Sequence, residues 1–179
     1  MELQYAISEG YQVEEPSRGS EHAAGLDIYI PQINAVFLND LREKNKNQNR
    51  LSKDNTPSLF DFEELESDEL YVLGHSRIII PTGLRFNIPE GTYLEVANRG
   101  STAANKGLIF GAHIIDSDYT GIVFINLINT TASPVYFKSG ERLIQLIHKE
   151  YIRSSLQRIT ENQIRATKRG SGALGSTGN

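Results

Sequence analysis

The sequence predicts an all-β fold, an antiparallel barrel or jelly roll. Three apolar runs rich in β-branched residues follow one another closely: Arg77 to Ile80, Leu84 to Ile88 and Thr92 to Ala97. Pro-Thr-Gly and Pro-Glu-Gly separate these runs, as is typical of strands joined by tight turns. Strand-like segments continue the series in "GIVFINLIN", "SPVYFKSG" and "RLIQLIHKEYI", and their spacing favours an antiparallel β fold.

Helical patterns are few. Ser101 to Lys106 is compatible with a short turn, and "SSLQRITENQIRA" near the C-terminus is compatible with a marginal helix. Ile33 to Leu73 interrupts the series of strands with a Lys- and Asn-rich half followed by an acidic half, a composition that favours a mobile loop. Four apolar side chains in the acidic half are candidates for a short helix or for docking on a surface: Leu59, Phe60, Phe62 and Leu65.

Length and composition set further limits. A chain of 179 residues suits one core-bearing domain, which we assign to 1–168 with an insertion at about 34–70, followed by a flexible arm over 169–179. Without cysteine there is no disulfide, thiolate metal site or thiol nucleophile. A net charge of −4 offers no general attraction to nucleic acid. No long apolar segment or signal-peptide pattern is present, so we expect a cytoplasmic protein without a membrane span.

Two glycine-rich segments carry the first chemical clue. The tail "KRGSGALGSTGN" and the turn "NRGSTAANKG" combine glycine, hydroxyl side chains and fixed positive charge. Glycine lets backbone amides approach a ligand closely, and arginine donates paired hydrogen bonds to phosphate. Both segments therefore suit a polyphosphate, although a flexible linker explains such a tail equally simply. Neither matches a Walker loop, which ends in Gly-Lys-Ser/Thr.

Five segments taken in order are more specific. They are "AAGLDIY" (23–29), "NRGSTAANKG" (98–107), "IIDSDYTG" (114–121), "GERLIQL" (140–146) and "RGSGALGSTG" (169–178). Together they resemble the five motifs of the trimeric dUTPase family, and the resemblance covers nearly the whole chain apart from Ile33 to Leu73. It implies a jelly-roll or β-clip subunit, a homotrimer that exchanges C-terminal arms, and hydrolysis of dUTP to dUMP and diphosphate.

The resemblance also implies roles for individual residues. Asp116 would be the base that activates water for attack on the α-phosphorus, and a carboxylate is ionised and able to accept a proton at neutral pH. Tyr119 would pack against the deoxyribose and leave no room for a 2′-hydroxyl. Gln145 would contact the α-phosphate region. Arg169 would close over the β- and γ-phosphates. Asp118 we interpret as turn chemistry, and Arg142 as ordinary strand-edge polarity.

Further residues would line the nucleotide site by the same resemblance. The substrate-binding set comprises Arg99, Gly100, Ser101, Thr102, Gly111, His113, Ile115, Tyr119, Leu174, Gly175, Ser176 and Thr177. Mg²⁺ would be the cofactor, held chiefly by the three phosphates and water, as suits a hard cation that keeps much of its hydration shell. Asp27 would lie near the metal-bound waters or orient Arg99.

Three positions depart from the family pattern. Gly100 follows the arginine of the second motif where serine is usual, and Ser101 stands one place later. Leu174 replaces the aromatic residue that stacks on uracil, and leucine supplies less stacking than a ring. His113 stands where glycine is usual in the third motif, beside the hairpin of roughly Phe110 to Tyr119 whose backbone recognises the base.

Two other classes of function remain open, an enzyme that acts on a related pyrimidine nucleotide and a binding module. "AHIID" is also similar to dCTP deaminase, a related enzyme on the same fold, but Asn126 occupies the position of its proton-shuttling glutamate. dCTP or a modified pyrimidine triphosphate is an alternative substrate for hydrolysis. The second function is a dUTPase-like scaffold that binds a regulatory protein through Ile33 to Leu73, with an inert surface loop as the simpler interpretation.

Overall fold

The computed structural model describes residues 2–46 and 69–172. These residues form eleven β-strands, two α-helices and a short 3₁₀ helix. The strands are β1 (Gln4–Ile7), β2 (Leu26–Tyr29), β3 (Glu69–Val72), β4 (Arg77–Pro81), β5 (Leu84–Asn87), β6 (Thr92–Asn98), β7 (Leu108–Phe110), β8 (Ile114–Asp116), β9 (Phe124–Asn129), β10 (Val135–Lys138) and β11 (Arg142–Glu150). The helices are α1 (Ala35–Asn45), α2 (Gly100–Lys106) and the 3₁₀ helix Glu161–Gln163.

All strand pairings among the described residues are antiparallel. One sheet has four strands in the order β2-β11-β6-β8, and a second has three in the order β4-β9-β7. Two ribbons, β1-β5 and β10-β3, complete the body. The antiparallel all-β fold predicted from the sequence is therefore confirmed.

Period-two alternation places the core between these sheets. Buried and less buried residues alternate along β6 and β9, so Leu94 and Val96 on one strand and Ile125 and Leu127 on the other point into a single cluster. Complete burial of such an aliphatic side chain stabilises the fold by about 1.5–3 kcal/mol. The core thus holds the four-stranded sheet, which carries Asp27, Ile115, Asp116 and Gln145, in a fixed position.

Helix α1 lies inside the segment that the sequence predicts to be a mobile loop, and that prediction is wrong for Ala35–Asn45. The Asn34 side chain caps the helix by accepting a hydrogen bond from the backbone N–H of Phe37, at 3.0 Å. Phe37 and Leu41, one turn apart, are completely buried in the core. The helix therefore belongs to the folded body.

Asn45, in the last turn of α1, protects the free edge of β4. Its side-chain amide donates to the carbonyl of Ile79 and accepts from the N–H of Ile79, each at 2.8 Å. The same Nδ2 also donates to the Leu41 carbonyl at 2.7 Å. Asn45 thus satisfies backbone groups at a strand edge that would otherwise be left without partners.

Strand β3 also lies within the predicted insertion and pairs with β10. Both flanks of the segment Ile33 to Leu73 are consequently part of the fold. The four apolar residues proposed as anchors for a partner, Leu59, Phe60, Phe62 and Leu65, lie outside the described residues.

The chain leaves the sheet after Glu150, and residues 151–172 are almost entirely exposed. Ile152 is 93% exposed and Leu156 is 100% exposed. The marginal helix predicted for "SSLQRITENQIRA" is not formed, because only Glu161–Gln163 adopts a short 3₁₀ turn. No helix in the described ranges is long and apolar enough to cross a membrane.

Candidate functional site

The four-stranded sheet brings the first, second and fourth motifs together. Asp27 lies on β2, and Gln145 lies directly opposite it on β11. Arg99 follows β6, the strand on the other side of β11. Three motifs that are distant in sequence therefore meet at one end of the sheet.

An ion-pair cluster forms the centre of this group. Arg99 Nε lies 2.9 Å from Asp27 Oδ1, and Arg142 Nη1 lies 3.4 Å from Asp27 Oδ2. Asp27 is only 7% exposed. A carboxylate removed from water in this way is stabilised by two cations. The expectation that Asp27 orients Arg99 agrees with this geometry.

Arg142 reaches Asp27 because of a bulge in β11. Gln145 pairs with Asp27 and Arg142 pairs with Tyr29. Three residues along β11 therefore span the same length as two residues along β2. The extra residue turns the Arg142 side chain to the face that carries Asp27. The interpretation of Arg142 as ordinary strand-edge polarity is wrong, since it forms part of the ion-pair cluster.

Gln145 is held beside this cluster by its own contacts. Its Nε2 donates to the Asn98 carbonyl at 2.9 Å. A Cβ at Gly25 would collide with the Gln145 side chain, so glycine at position 25 provides the space that the amide occupies. Neither Gly25 nor Asn98 was recognised as a supporting residue, although Gly25 lies within the first motif.

The second motif ends β6 and begins α2. Arg99 is the N-cap residue and Ser101 is exposed. A Cβ at Gly100 would meet no atom within 4 Å, so the described part of the chain does not require glycine there. Thr102 is buried, and its hydroxyl donates to the Leu143 carbonyl at 3.3 Å. The Thr102 hydroxyl is therefore held within the fold, and the assignment of Thr102 to substrate binding stays a prediction.

The third motif forms a second group of candidates. Asp116 ends β8 and is exposed, and the N–H of Tyr119 donates to its carbonyl at 3.1 Å. The Tyr119 hydroxyl donates to the Ile122 carbonyl at 2.7 Å. A Cβ at Gly121 would lie 2.6 Å from that hydroxyl. The turn thus fixes the tyrosine ring, which remains 42% exposed, three residues after the exposed Asp116.

The hairpin before Asp116 contains the other third-motif candidates. The His113 ring Nδ1 lies 3.0 Å from the Val96 carbonyl, which fixes the imidazole against β6. Gly111 packs closely on Asn126, because a Cβ there would lie 2.6 Å from its Nδ2. Ile115 is half-buried and pairs with Leu94. A side chain at position 111 would therefore displace the amide end of Asn126.

The two groups lie far apart within one chain. Gln145 is opposite Ala97 of β6, whereas Asp116 is opposite Tyr93 of the same strand. Four residues along β6 correspond to about 13 Å, and each flanking strand adds about 5 Å sideways. The backbone positions of Gln145 and Asp116 are thus separated by about 16 Å. One chain alone does not bring its carboxylate to its phosphate-binding candidates.

The arm is separate from both groups. Arg169 is exposed, and its Nε donates to the Gly172 carbonyl at 3.0 Å. The remaining predicted arm residues, Leu174, Gly175, Ser176 and Thr177, lie outside the described residues.

A metal ion would find few free ligands in this group. Within residues 2–46 and 69–172 no cluster of three or more His, Asp or Glu side chains could hold a cation. Both carboxylate oxygens of Asp27 face arginines. Asp27 would therefore contact a metal ion only through water.

Comparisons with known proteins agree with the sequence motifs. A family model described as dUTPase matches residues 60–178. The deoxyuridine 5′-triphosphate nucleotidohydrolase of Yarrowia lipolytica is 30% identical, with 91% of this chain and 81% of that protein covered. The corresponding protein of Candida glabrata is 37% identical, with 91% and 88% covered.

Solved structures show the same fold. A mutant dUTPase of Staphylococcus bacteriophage 80alpha with dUpNHpp has a TM-score of 0.71 at 17% identity and covers 99% of each chain. A mutant dUTPase of phage phi11 of S. aureus, which reveals the coordination of a structural Mg(II) ion, has a TM-score of 0.64 at 16% identity, with 90% of this chain and 98% of that chain covered. From the family match, the relatives and the five motifs, the chain belongs to the dUTPase family.

Proposed function

We propose that the chain hydrolyses dUTP to dUMP and diphosphate, limiting uracil incorporation into DNA, with the third motif supplying the base and the Asp27–Arg99–Gln145 group binding the phosphates. The observation that carries this proposal is the exposed Asp116 at the end of β8, three residues before a tyrosine whose ring is held by its hydrogen bond to the Ile122 carbonyl. The reaction proceeds in the cytoplasm of the cell, or of a host cell if the protein is viral.

Asp116 activates the attacking water. As the water oxygen forms a bond to the α-phosphorus, the carboxylate takes one of its protons, and the bond from the α-phosphorus to the bridging oxygen breaks. Diphosphate leaves with the electrons of that bond, and dUMP retains the new oxygen. A carboxylate is a weak base, so positioning and charge neutralisation must supply most of the acceleration.

The ion-pair group supplies the positive charge for the phosphates. Arg99 is oriented by Asp27, and Gln145 lies beside it with its amide fixed on Asn98. Ser101 is exposed at the start of the same turn and provides a hydroxyl for a phosphate oxygen. These groups bind the triphosphate, with Gln145 nearest the α-phosphate.

Tyr119 and the hairpin select the nucleoside. The exposed ring face packs on the deoxyribose and excludes a 2′-hydroxyl, because the hydrogen bond to the Ile122 carbonyl holds the ring in place and Gly121 leaves the space that the ring occupies. Backbone groups of the hairpin near Gly111 and His113 bind the uracil. Leu174 covers the base from the arm.

The complete site requires more than one copy of the chain. A separation of about 16 Å between Gln145 and Asp116 is too large for both to contact one α-phosphate. In the homotrimer that we propose, one subunit contributes the ion-pair group and a neighbour contributes Asp116 and Tyr119. The arm closes over the site from another subunit, with Arg169, Ser176 and Thr177 at the β- and γ-phosphates.

Mg²⁺ is the proposed cofactor. The phosphates and water would supply its ligands, because both oxygens of Asp27 are engaged by arginines. When bound, the cation offsets negative charge on the triphosphate. The arginines of the chain itself would neutralise the remaining negative charge of the triphosphate.

Deamination of dCTP is not favoured. Asn126 has an amide at the position where the related deaminase needs a carboxylate, and an amide does not shuttle a proton at neutral pH. Binding of a regulatory protein through Ile33 to Leu73 stays a prediction from sequence.

The direct experiment supplies dUTP and dCTP side by side to the full chain with Mg²⁺. We expect dUMP and diphosphate from dUTP, and little product from dCTP. Release of ammonia from dCTP, or absence of dUMP, would contradict the proposed function.

A further inference from the structure

The cluster around Asp27 has an unusual charge balance. One carboxylate faces two guanidinium groups, at 2.9 Å for Arg99 and 3.4 Å for Arg142. Arg99 and Asp27 alone would form a neutral pair with little attraction for a triphosphate. Arg142 gives the cluster an excess of one positive charge.

Arg142 is held in place although its side chain is 47% exposed. Its guanidinium carbon lies 5.7 Å from the centre of the Tyr29 ring, within the range of a cation–π interaction. The Tyr29 hydroxyl lies 2.7 Å from the hydroxyl of Ser17. The β11 bulge, the ring and the carboxylate together fix the direction of the side chain.

The same residue supports Arg99 through its backbone. Arg99 Nη1 donates to the Arg142 carbonyl at 3.4 Å, while Arg99 Nε is engaged by Asp27. Within the described residues Arg99 Nη2 makes no hydrogen bond. Arg99 is therefore held at two nitrogens, with the third left for a phosphate oxygen. Substituting the Arg142 side chain leaves this backbone contact available.

We propose that Arg142 is a positioning residue for the triphosphate site: it balances Asp27, so that Asp27 orients Arg99 without cancelling the attraction for phosphate. This inference rests on the proposed function of the cluster in binding dUTP. The role is electrostatic and acts before the chemical step. It predicts an effect on affinity that depends on salt.

The test compares Arg142→Gln, Arg142→Lys and the double variant Asp27→Asn with Arg142→Gln. Arg77→Gln is the matched control, because Arg77 is an exposed arginine of β4, in the other sheet. Each protein is measured for kcat and KM with dUTP and for affinity of dUpNHpp by calorimetry, at low and at high salt. Thermal melting establishes that each variant is folded.

Arg142→Gln should raise KM and weaken analogue binding about fivefold to tenfold at low salt, with kcat within about twofold, because a charge is lost at a half-exposed position. The loss should shrink as salt rises. Arg142→Lys should recover part of the affinity. The double variant should bind more tightly than Arg142→Gln, because removing the negative charge restores the excess positive charge.

If Arg142→Gln has the same KM and analogue affinity as Arg77→Gln, the inference is overturned. The proposed hydrolysis of dUTP would still stand in that case. A wild-type protein without dUTP hydrolysis would instead contradict the proposed function. If Arg142→Gln does not fold, Arg142→Ala removes the same charge, and a folded alanine variant with the KM, analogue affinity and salt dependence of Arg77→Gln would equally overturn the inference.

Discussion

At the scale of single residues, Asp116 has the most demanding role. Its carboxylate is exposed at the end of β8, and the adjoining turn holds Tyr119 against Gly121 and the Ile122 carbonyl. In the proposed site, binding of the nucleotide depends on other groups, namely those that contact the phosphates and the backbone of the hairpin. Catalysis and binding are therefore separable at this residue.

Asp116→Asn should nearly abolish turnover of dUTP and change the affinity of dUpNHpp by no more than about tenfold, because the amide keeps the shape but accepts no proton. Steady-state kinetics and calorimetry on the same preparation measure both quantities. If the variant retained more than a few per cent of wild-type turnover, Asp116 would not be the base.

Sequence patterns predicted some residue roles and missed others. The order of the motifs predicted Asp27, Gln145 and Asp116 as candidates, and the structure places Asp27 and Gln145 opposite each other on neighbouring strands. The ion pair of Arg142 with Asp27 was not predicted because a bulge changes which face a side chain occupies, and nothing in "GERLIQL" marks one. The separation of Gln145 from Asp116 depends on the register of β6 with both neighbours, which sequence does not specify.

At the scale of secondary structure elements, α1 is the main difference from the sequence prediction. Strands β4, β5 and β6 lie within one residue of the predicted runs, because alternation and turn residues are strong signals there. Helix α1 has only a narrow apolar face, and Asn45 in its last turn is buried. Because Asn45 is polar, its burial does not show in the sequence as part of an apolar face. Its hydrogen bonds to Ile79 form only in the folded chain.

Asn45→Ala should lower the free energy of unfolding by about 2–4 kcal/mol, because it leaves the N–H and carbonyl of Ile79 without partners. Urea denaturation followed by circular dichroism measures the loss. Asn39→Ala, at an exposed position of the same helix, is the control and should change stability little. Equal effects of the two substitutions would show that Asn45 does not protect the β4 edge.

A buried tyrosine links α1 to the N-terminal segment. The Tyr11 hydroxyl donates to Asp40 at 2.6 Å, and burial together with this carboxylate raises the pKa of Tyr11 well above its ordinary value. A raised pKa means that the neutral phenol is favoured in the folded state. Its contribution to stability is present below the pKa of an unfolded tyrosine, about 10, and is lost as pH rises beyond it.

The stability difference between wild type and Tyr11→Phe should therefore be constant between about pH 7 and 9 and should decrease above about pH 10. Urea denaturation of both proteins across this range measures it. A difference that stays constant up to pH 11 would mean that the phenol ionises equally easily in the folded protein.

At the scale of the whole molecule, the exposed C-terminal segment stands out. Large apolar side chains such as Ile152 and Leu156 are almost fully exposed in the described part of the chain, as expected for a segment that reaches a neighbouring subunit.

Ordering the glycine-rich tail that follows this segment costs roughly 1–2 kcal/mol per residue. Charged hydrogen bonds to a triphosphate, each worth about 1.5–3 kcal/mol, offset that cost.

Truncation after Lys168 should reduce turnover by orders of magnitude and leave the trimer and its Tm without ligand almost unchanged, because the removed residues act only when nucleotide is bound. Kinetics, light scattering and thermal melting provide the three readouts. Near-normal turnover in the truncated protein would exclude the arm from the site.

Mixed trimers test the shared site most directly. One parent carries Asp116→Asn, and the other carries both Arg99→Gln and Gln145→Ala, so that each is inactive alone. If neighbouring subunits supply the two groups, mixing at random in equal amounts makes about one site in four complete. After dissociation and reassembly, the dUTPase activity should reach about a quarter of wild type. Activity no higher than that of the separate parents, in trimers shown by mass spectrometry to be mixed, would contradict a site shared between subunits.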